Sequence, residues 1–263
     1  MRNSLRNILV GVLACAVALL LAMPSMAAPL SGTFRGDGTD ATVGAAFLNW
    51  CTAANTSACS NGLGGGTFGN FTLSLGTGSF VPLNGGGNTN TITDLNNTNA
   101  KPGNTNDNVN FISLTGLGAF TISLQIVGLG TGGTAACGSL PAPGQTCTPV
   151  INGVQSAFTL TNSQPPSGGI TSTAQLLVSG TASDGNPADN STWFGIVSNN
   201  FPFPYQSLLS AISAGGTNTG VVDAPWTGSF NFSAAVVPEP MTMSLVGVGL
   251  LGLGIFGRRK LRK

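Results

Sequence analysis

Residues 119–128 read AFTISLQIVG, and this stretch indicates the fold more clearly than any other part of the sequence. Alternate positions are occupied by the apolar residues Phe120, Ile122, Leu124 and Ile126, and a polar residue stands at each of the three positions between them. In an extended strand, alternate side chains point to the same face of a sheet. The pattern therefore predicts a strand with one apolar, buried face and one mainly polar face.

The same alternation recurs along the chain between clusters of Gly, Asn, Ser and Pro. In residues 68–75, FGNFTLSL, it places Phe71, Leu73 and Leu75 on one face. Many short strands separated by turn residues are typical of an all-β domain, and we expect a β-sandwich or jelly-roll-like fold. The predicted strands are 41–49, 66–75, 79–82, 90–94, 109–113, 119–128, 156–162, 171–180, 192–198 and 226–234.

One segment has helical spacing instead. Tyr205, Leu208, Leu209 and Ile212 follow one another at intervals of three, one and three residues, and Pro204 precedes them. A proline before the first turn is a common start of a helix. We therefore predict one short helix that covers an edge or an end of the sandwich.

Residues 1–27 have the layout of a secretory signal peptide. Two arginines precede a charge-free apolar run at 8–23, and small residues lead to a cleavage site after Ala27. Such a segment is removed from an exported protein. We expect an N-terminal signal helix followed by an exported β domain at residues 28–236.

The segment 237–263 divides into three parts. A Val-Pro-Glu-Pro motif at 237–240 comes first, and its prolines keep the backbone extended. The run at 241–257 is apolar and uncharged, and its 17 residues would span about 25 Å as a helix, near the lower limit for crossing a membrane. Basic residues follow at 258–263, as on the cytoplasmic side of an anchor.

Each part of this segment has its own candidate residues. They are Pro238, Glu239 and Pro240 in the motif, Met241, Leu245, Leu250, Leu251 and Phe256 in the predicted transmembrane anchor, and Arg258, Arg259 and Lys260 in the basic stop.

Together, Pro238-Glu239-Pro240, the 241–257 span and the Arg258-Arg259-Lys260 cluster resemble the PEP-CTERM sorting domain of Gram-negative bacteria. The resemblance implies that an exosortase, a membrane-embedded enzyme, recognises the segment and cuts it near the motif. It implies transient attachment to the inner membrane, then a place in the cell envelope or outside the cell. It also implies a link to exopolysaccharide and biofilm, without giving the preceding domain an activity.

The preceding domain is also similar to exported PEP-CTERM proteins of unassigned function, and this similarity implies a β-sandwich. The matching residues are Gly78-Ser79-Phe80, the segment 92–95, Cys147-Thr148-Pro149, the segment 158–162 and Trp193-Phe194-Gly195.

Charge is unevenly distributed along the chain. Seven of the nine cations lie in the two predicted targeting segments. Residues 28–240 retain Arg35 and Lys101 against seven aspartates and Glu239, which gives a net charge of −6. A negative domain has no electrostatic attraction for nucleic acid, so we expect no nucleic-acid partner. Binding of a neutral glycan stays open.

Four cysteines lie outside the signal peptide, namely Cys51, Cys59, Cys137 and Cys147. An even number of cysteines in an exported chain predicts disulfides, and three pairings are possible. We favour the short-loop pairs Cys51–Cys59 and Cys137–Cys147, each contributing about 2–3 kcal/mol. The chain has no histidine and no Cys-x-x-Cys motif, so we predict no metal site of that kind.

The lack of histidine also excludes Ser-His-Asp, Cys-His and zinc-hydrolase chemistry. A glycosidase would need a pair of aspartates, yet each aspartate lies beside turn-forming residues. We therefore expect no enzyme activity and no cofactor. The acidic segments 37–40 and 184–190 stay open as calcium loops, although neither has the full spacing of a known calcium motif.

The leading hypothesis is a non-enzymatic surface or matrix protein, sorted by an exosortase and serving as a structural or adhesive component. The first alternative is a module that binds a neutral glycan. Its candidate stacking residues are Trp50, Trp193, Tyr205 and Trp226, and their rings would have to be exposed. An Asp-dependent, glycan-active enzyme is the least favoured hypothesis.

Overall fold

The computed structural model describes residues 29–44, 47–50, 68–85, 90–96, 98–118, 120–151, 153–185, 190–213 and 221–234. The predicted signal peptide and the predicted anchor lie outside these ranges. Within the described ranges, no helix is long and apolar enough to cross a membrane.

The described residues form strands β1 to β14, two 3₁₀-helices, η1 and η2, and one α-helix, α1. The strands are β1 (Gly32–Gly44), β2 (Phe47–Trp50), β3 (Phe68–Ser74), β4 (Asn90–Thr93), β5 (Leu95–Asn96), β6 (Val109–Ser113), β7 (Thr121–Val127), β8 (Thr146–Cys147), β9 (Val150–Ile151), β10 (Val154–Gln155), β11 (Phe158–Ser163), β12 (Thr171–Ser183), β13 (Ser191–Phe201) and β14 (Val221–Ala234). The helices are η1 (Gly78–Leu83), η2 (Ala135–Gly138) and α1 (Tyr205–Ile212).

Eight strands form a closed, barrel-like ring. Their order is β13-β14-β1-β3-β4-β6-β7-β12, and β12 pairs with β13 to close the circle. Every pairing within the ring is antiparallel. The predicted all-β fold with one short helix is confirmed, whereas the predicted sandwich is replaced by one continuous sheet.

Long strands make this closure possible. Strand β12 pairs with β13 from Ser172↔Phe201 to Ala182↔Ser191, and along its other edge it pairs first with β11 and then with β7. Strand β1 similarly divides one edge between β3 and β2. Because these long strands bridge what would be two sheets, no gap separates the ring into the two layers of a sandwich.

The two ends of the ring differ greatly. We call the end at which β1 begins and β14 ends the terminal end; it carries η1, the β6–β7 turn and the β12–β13 connection. We call the opposite end the elaborated end. It carries β2, β5, α1 and the long excursion from β7 to β12, which includes η2 and β8 to β11.

Aromatic side chains fill the interior of the ring. Phe34 packs against Phe230 at 4.9 Å between ring centroids, and Trp50 packs against Trp226 at 4.6 Å. Burying large apolar side chains of this kind is the main favourable contribution to folding. Glycines on neighbouring strands leave the space, since a Cβ on Gly195, the cross-strand partner of Phe230, would lie 2.5 Å from the ring of Phe230.

Several elements differ from the sequence prediction, and two of them lie at the terminal end. The predicted strand at 79–82 is the 3₁₀-helix η1, and β1 begins at Gly32 rather than near residue 41. A proline inside η1 disfavours a central strand because it cannot donate to the ladder. The first half of β1 lacks an apolar alternation, because its inward positions include Gly36 and Gly38.

Candidate functional site

The last described strand runs to within a few residues of the Pro-Glu-Pro motif. Strand β14 pairs with β13 up to Ala234↔Ser191 and with β1 up to Phe232↔Gly32. Only residues 235–237 separate Ala234 from Pro238. Pro238 is four positions after Ala234, so the chain length keeps it within about 14 Å of the end of β14.

The first described residues leave the ring at the same end. Leu30 is buried, and the backbone N–H of Ser31 donates to Oγ of Ser79 at 3.1 Å. Since β1 and β14 are adjacent and antiparallel, the beginning of one lies beside the end of the other. The predicted signal-peptide cut after Ala27 and the sorting motif therefore both adjoin the terminal end.

The 3₁₀-helix η1 closes the terminal end. Phe80 is fully buried between Phe34 and Phe232, with 4.9 Å between its ring centroid and each of theirs. Leu83, three residues on, is buried as well, whereas Val81 and Pro82 are exposed. In a 3₁₀-helix, residues three apart lie on one face, so η1 has an inner apolar face and a small outer apolar face.

Hydrogen bonds hold η1 in place. The backbone N–H of Thr77 donates to the carbonyl of Thr33, and that of Ser79 donates to the carbonyl of Ser31, both at 2.8 Å. Asn84 accepts from the N–H of Gly76 at 2.6 Å and donates to its carbonyl at 2.8 Å. This amide pair imitates a strand pairing and fixes the two ends of the turn together.

Every residue predicted for the sorting segment lies outside the described ranges. They are Pro238, Glu239, Pro240, Met241, Leu245, Leu250, Leu251, Phe256, Arg258, Arg259 and Lys260. The structure thus fixes where the segment begins relative to the fold and describes none of its side chains.

The predicted Cys137–Cys147 disulfide is confirmed. It joins η2 to β8 at the elaborated end, with 5.1 Å between the two Cα atoms. Tyr205 of α1 donates its hydroxyl to the carbonyl of Ala136 at 3.0 Å, so the helix rests on the disulfide loop. The predicted Cys51–Cys59 pair lies outside the described ranges and stays a prediction.

Three amide side chains connect the disulfide loop, β11 and α1. Nδ2 of Asn162 donates to Oε1 of Gln206 at 3.0 Å, and Nε2 of Gln206 donates to Oε1 of Gln145 at 3.0 Å. Oδ1 of Asn162 also accepts the backbone N–H of Tyr205 at 3.0 Å. A satisfied amide network of this kind fixes the position of the helix rather than forming a vacant binding site.

The aromatic residues proposed for stacking on a sugar are all buried. Trp50, Trp193, Tyr205 and Trp226 are each no more than 2% exposed. The indole N–H of Trp50 donates to the carbonyl of Thr93, and that of Trp193 donates to the carbonyls of Ser123 and Thr181. These four residues belong to the core, so the glycan-stacking role that the sequence left open for them is wrong.

Several aspartates accept hydrogen bonds from the scaffold. Asp37 accepts from Arg35 in an ion pair at 2.8 Å and from Ser74 at 2.9 Å. Asp107 accepts the backbone N–H of Lys101 at 3.0 Å and the amide of Asn104 at 2.5 Å. Carboxylates with several donors of this kind act as loop and strand clamps.

Asp94 is the most perturbed of the described carboxyl groups. Burial raises its pKa to about 6, and the hydrogen bond from the backbone N–H of Trp50 opposes this rise. With its amide turned to satisfy both groups, Asn49 donates to the two carboxylate oxygens at 3.2 and 2.5 Å. Asp94 thus ties β2 to the β4–β5 junction and has a structural role.

A second carboxyl group is perturbed where β1 meets β14. Burial, and then the negative charge of Asp223, raises the pKa of Asp40, while the N–H of Ala41 lowers it. The proposed calcium segment at 37–40 lies inside β1 and is not a loop, which corrects that interpretation. Among the described residues, no three His, Cys, Asp or Glu side chains come together as a metal site would require.

One shallow groove lies on the outer wall of the ring. Its volume is about 440 Å³, and Leu75 and Ile196 flank it. The remaining lining residues are Thr33, Phe34, Arg35, Ser198, Thr227, Gly228 and Ser229. The groove holds hydroxyl groups and one guanidinium group but no buried acid–base pair, so its geometry does not indicate catalysis.

Comparison with known proteins identifies only the last part of the chain. Residues 236–260 match the family described as the PEP-CTERM protein-sorting motif. This segment is a PEP-CTERM sorting motif. The motif supports exosortase-dependent sorting to the cell surface, with export and transient membrane anchoring through this segment. No curated protein and no solved structure matches the chain.

The sequence did not reveal how the PEP-CTERM motif is presented. Leu30, Phe80 and Leu83 form the closed terminal end from which the motif emerges, and none of them was a candidate. The one available signal was Pro82 inside a predicted strand, which favours a turn. The juxtaposition of the two chain exits depends on the register of β1 and β14, which no local pattern shows.

Proposed function

We propose that the chain is an exosortase substrate whose folded β domain is a non-enzymatic structural or adhesive component of the cell surface or its matrix. The observation that carries this proposal is the position of the PEP-CTERM motif. Its Pro-Glu-Pro tripeptide begins four residues after the last paired residue of β14, so the enzyme receives a folded domain with a short tail.

The pairing of β14 supports processing of the folded protein. The strand is hydrogen-bonded on both sides, to β1 and to β13, and its pairing ends at Ala234. A cut near Pro238 therefore removes no residue of the sheet. The ring stays closed after processing, as a component displayed or released outside the cell requires.

The described side chains support a role without catalysis. The chain contains no histidine. Asp37, Asp94 and Asp107 accept hydrogen bonds that hold strands and loops together. We propose that the domain acts through its stable surface, in contact with exopolysaccharide, and binding of the purified mature protein to the host's exopolysaccharide tests this part.

The sorting proposal is tested by the double variant Pro238→Ala and Pro240→Ala in a host that has an exosortase. We expect the full-length chain to stay in the membrane fraction, because the variant lacks the rigid, extended motif that the exosortase recognises. The matched control is Pro165→Ala with Pro166→Ala, two adjacent prolines in a turn far from the motif. The control should be processed normally, whereas unchanged processing of the motif variant refutes the proposal.

A further inference from the structure

Two short tethers join the terminal end to the predicted membrane segments. Seven positions separate the buried Leu30 from Met23, where the apolar run of the signal peptide ends. Seven positions also separate Ala234 from Met241, where the apolar anchor begins. A chain of seven residues reaches at most about 25 Å.

These tethers are shorter than the ring. The 14 residues of β14 extend over roughly 45 Å along the strand, or about 30 Å along the axis of a ring with strongly tilted strands. If the elaborated end faced the bilayer, the tethers would have to run back along the whole length of the ring, and they are too short to do so. The tethers favour an arrangement in which the terminal end faces the lipid.

The chemistry of the terminal end suits a lipid surface. The outer face of η1 presents Val81, which is 55% exposed, and the neighbouring Pro82. Among the described residues at the tip of this end, Asp184 carries a charge. Arg35, farther along β1, is paired with Asp37. A small apolar surface with few charges can enter the headgroup region without a large desolvation cost.

We propose that the terminal end of the ring is a bilayer-facing surface, with Val81 and Pro82 of η1 in contact with lipid while the sorting segment anchors the chain. The inference rests on the proposed function, because that anchor holds the domain at the membrane. The elaborated end then points away from the bilayer, and the disulfide loop, α1 and the β9–β10 hairpin are the parts presented to partners.

This contact orients the domain but does not hold it. Two apolar side chains bury little area, and the exported part of the chain, residues 28–240, offers only two cations to an anionic membrane. The tether supplies the high local concentration that such a weak contact needs. Cutting the chain near Pro238 removes the tether, so processing also releases the surface of η1 from the lipid.

The test places a tryptophan on the surface of the full chain, reconstituted through its own anchor into phosphatidylcholine vesicles with brominated acyl chains. Bromine quenches a ring that it touches. The variant is Val81→Trp, and the matched control is Val154→Trp in β10 at the elaborated end, since the two valines are 55% and 57% exposed. The native Trp50, Trp193 and Trp226 are buried and give a constant background.

We expect brominated lipid to remove about half of the added fluorescence of Val81→Trp and less than about a tenth of that of Val154→Trp, as for a ring at headgroup level against one in water. Equal quenching of the two variants, or stronger quenching of Val154→Trp, overturns the inferred orientation. Flotation of the vesicles is read separately, and a full chain that does not float contradicts the anchoring on which the inference rests.

Discussion

Phe80 is the residue on which closure of the terminal end depends. Its ring is fully buried and lies 4.9 Å from the rings of Phe34 and Phe232. We predict that Phe80→Ala lowers the free energy of unfolding by about 3–5 kcal/mol, because the substitution leaves a cavity that the surrounding side chains cannot fill. Urea unfolding followed by tryptophan fluorescence measures the loss.

The neighbouring residue supplies the control for this prediction. Val81 lies on the exposed face of the same 3₁₀-helix, so Val81→Ala should change the free energy of unfolding by less than about 0.5 kcal/mol. Equal effects of the two substitutions would show that η1 does not close the ring as described.

Asp94 gives the fold a pH dependence of its own. Burial raises its pKa from about 3.8 to about 6, so the neutral acid is favoured in the folded state. The stabilising contribution of the protonated group is complete below about pH 3.8 and is lost as the pH rises through about 6. Because the carboxyl is only half-buried, solvent screening reduces the expected change to about 1 kcal/mol.

The substitution Asp94→Asn isolates this contribution. The amide stays neutral at every pH, and its oxygen can still accept from the backbone N–H of Trp50. We predict that the wild type loses stability relative to this variant between pH 4 and pH 6, measured as urea midpoints across that range. A constant difference between the two proteins would show that Asp94 does not titrate in this range.

At the scale of elements, the disulfide loop holds α1 against the elaborated end. The disulfide closes a loop between two cysteines with a sequence separation of 10. The hydroxyl of Tyr205 in α1 donates a hydrogen bond to the same loop. We predict that Cys137→Ser with Cys147→Ser lowers the free energy of unfolding by about 2–3 kcal/mol, the effect of releasing a loop of that length. A urea midpoint equal to that of the wild type contradicts this prediction.

Elements with a strong local pattern were predictable from the sequence. The alternating stretch at 119–128 is β7 (Thr121–Val127), and the helical spacing from Tyr205 to Ile212 is α1 (Tyr205–Ile212). The first half of β1 was missed because its partners, rather than its own side chains, specify it. Its inward-facing Gly36 lies against the rings of Phe71 and Phe230, which come from β3 and β14.

The closure of the ring could not be predicted from local sequence patterns. Alternation predicts strands but says nothing about which strand lies beside which, and a ring and a sandwich share the same pattern. The sorting motif was predictable because its signal is linear and contiguous. Its place beside the start of β1 was not, because that depends on the antiparallel register of β1 with β14.

At the scale of the whole molecule, the described residues form a closed β ring, with the start of β1 and the end of β14 at one end and β2, β5, α1 and the excursion from β7 to β12 at the other. The exits adjoin the predicted signal-peptide site and the PEP-CTERM motif, so both processing steps would occur at the terminal end.

We propose that an exosortase cuts the chain at the PEP-CTERM motif and leaves the ring intact. Intact-mass measurement of the protein, recovered from cells with and without the exosortase, tests it most directly. We predict that cells with the enzyme yield a chain that begins at Ala28, ends at or before Pro240 and retains the Cys137–Cys147 disulfide, while cells without it retain residues 241–263. Recovery of residues 241–263 on the mature protein from cells with the enzyme would contradict the claim.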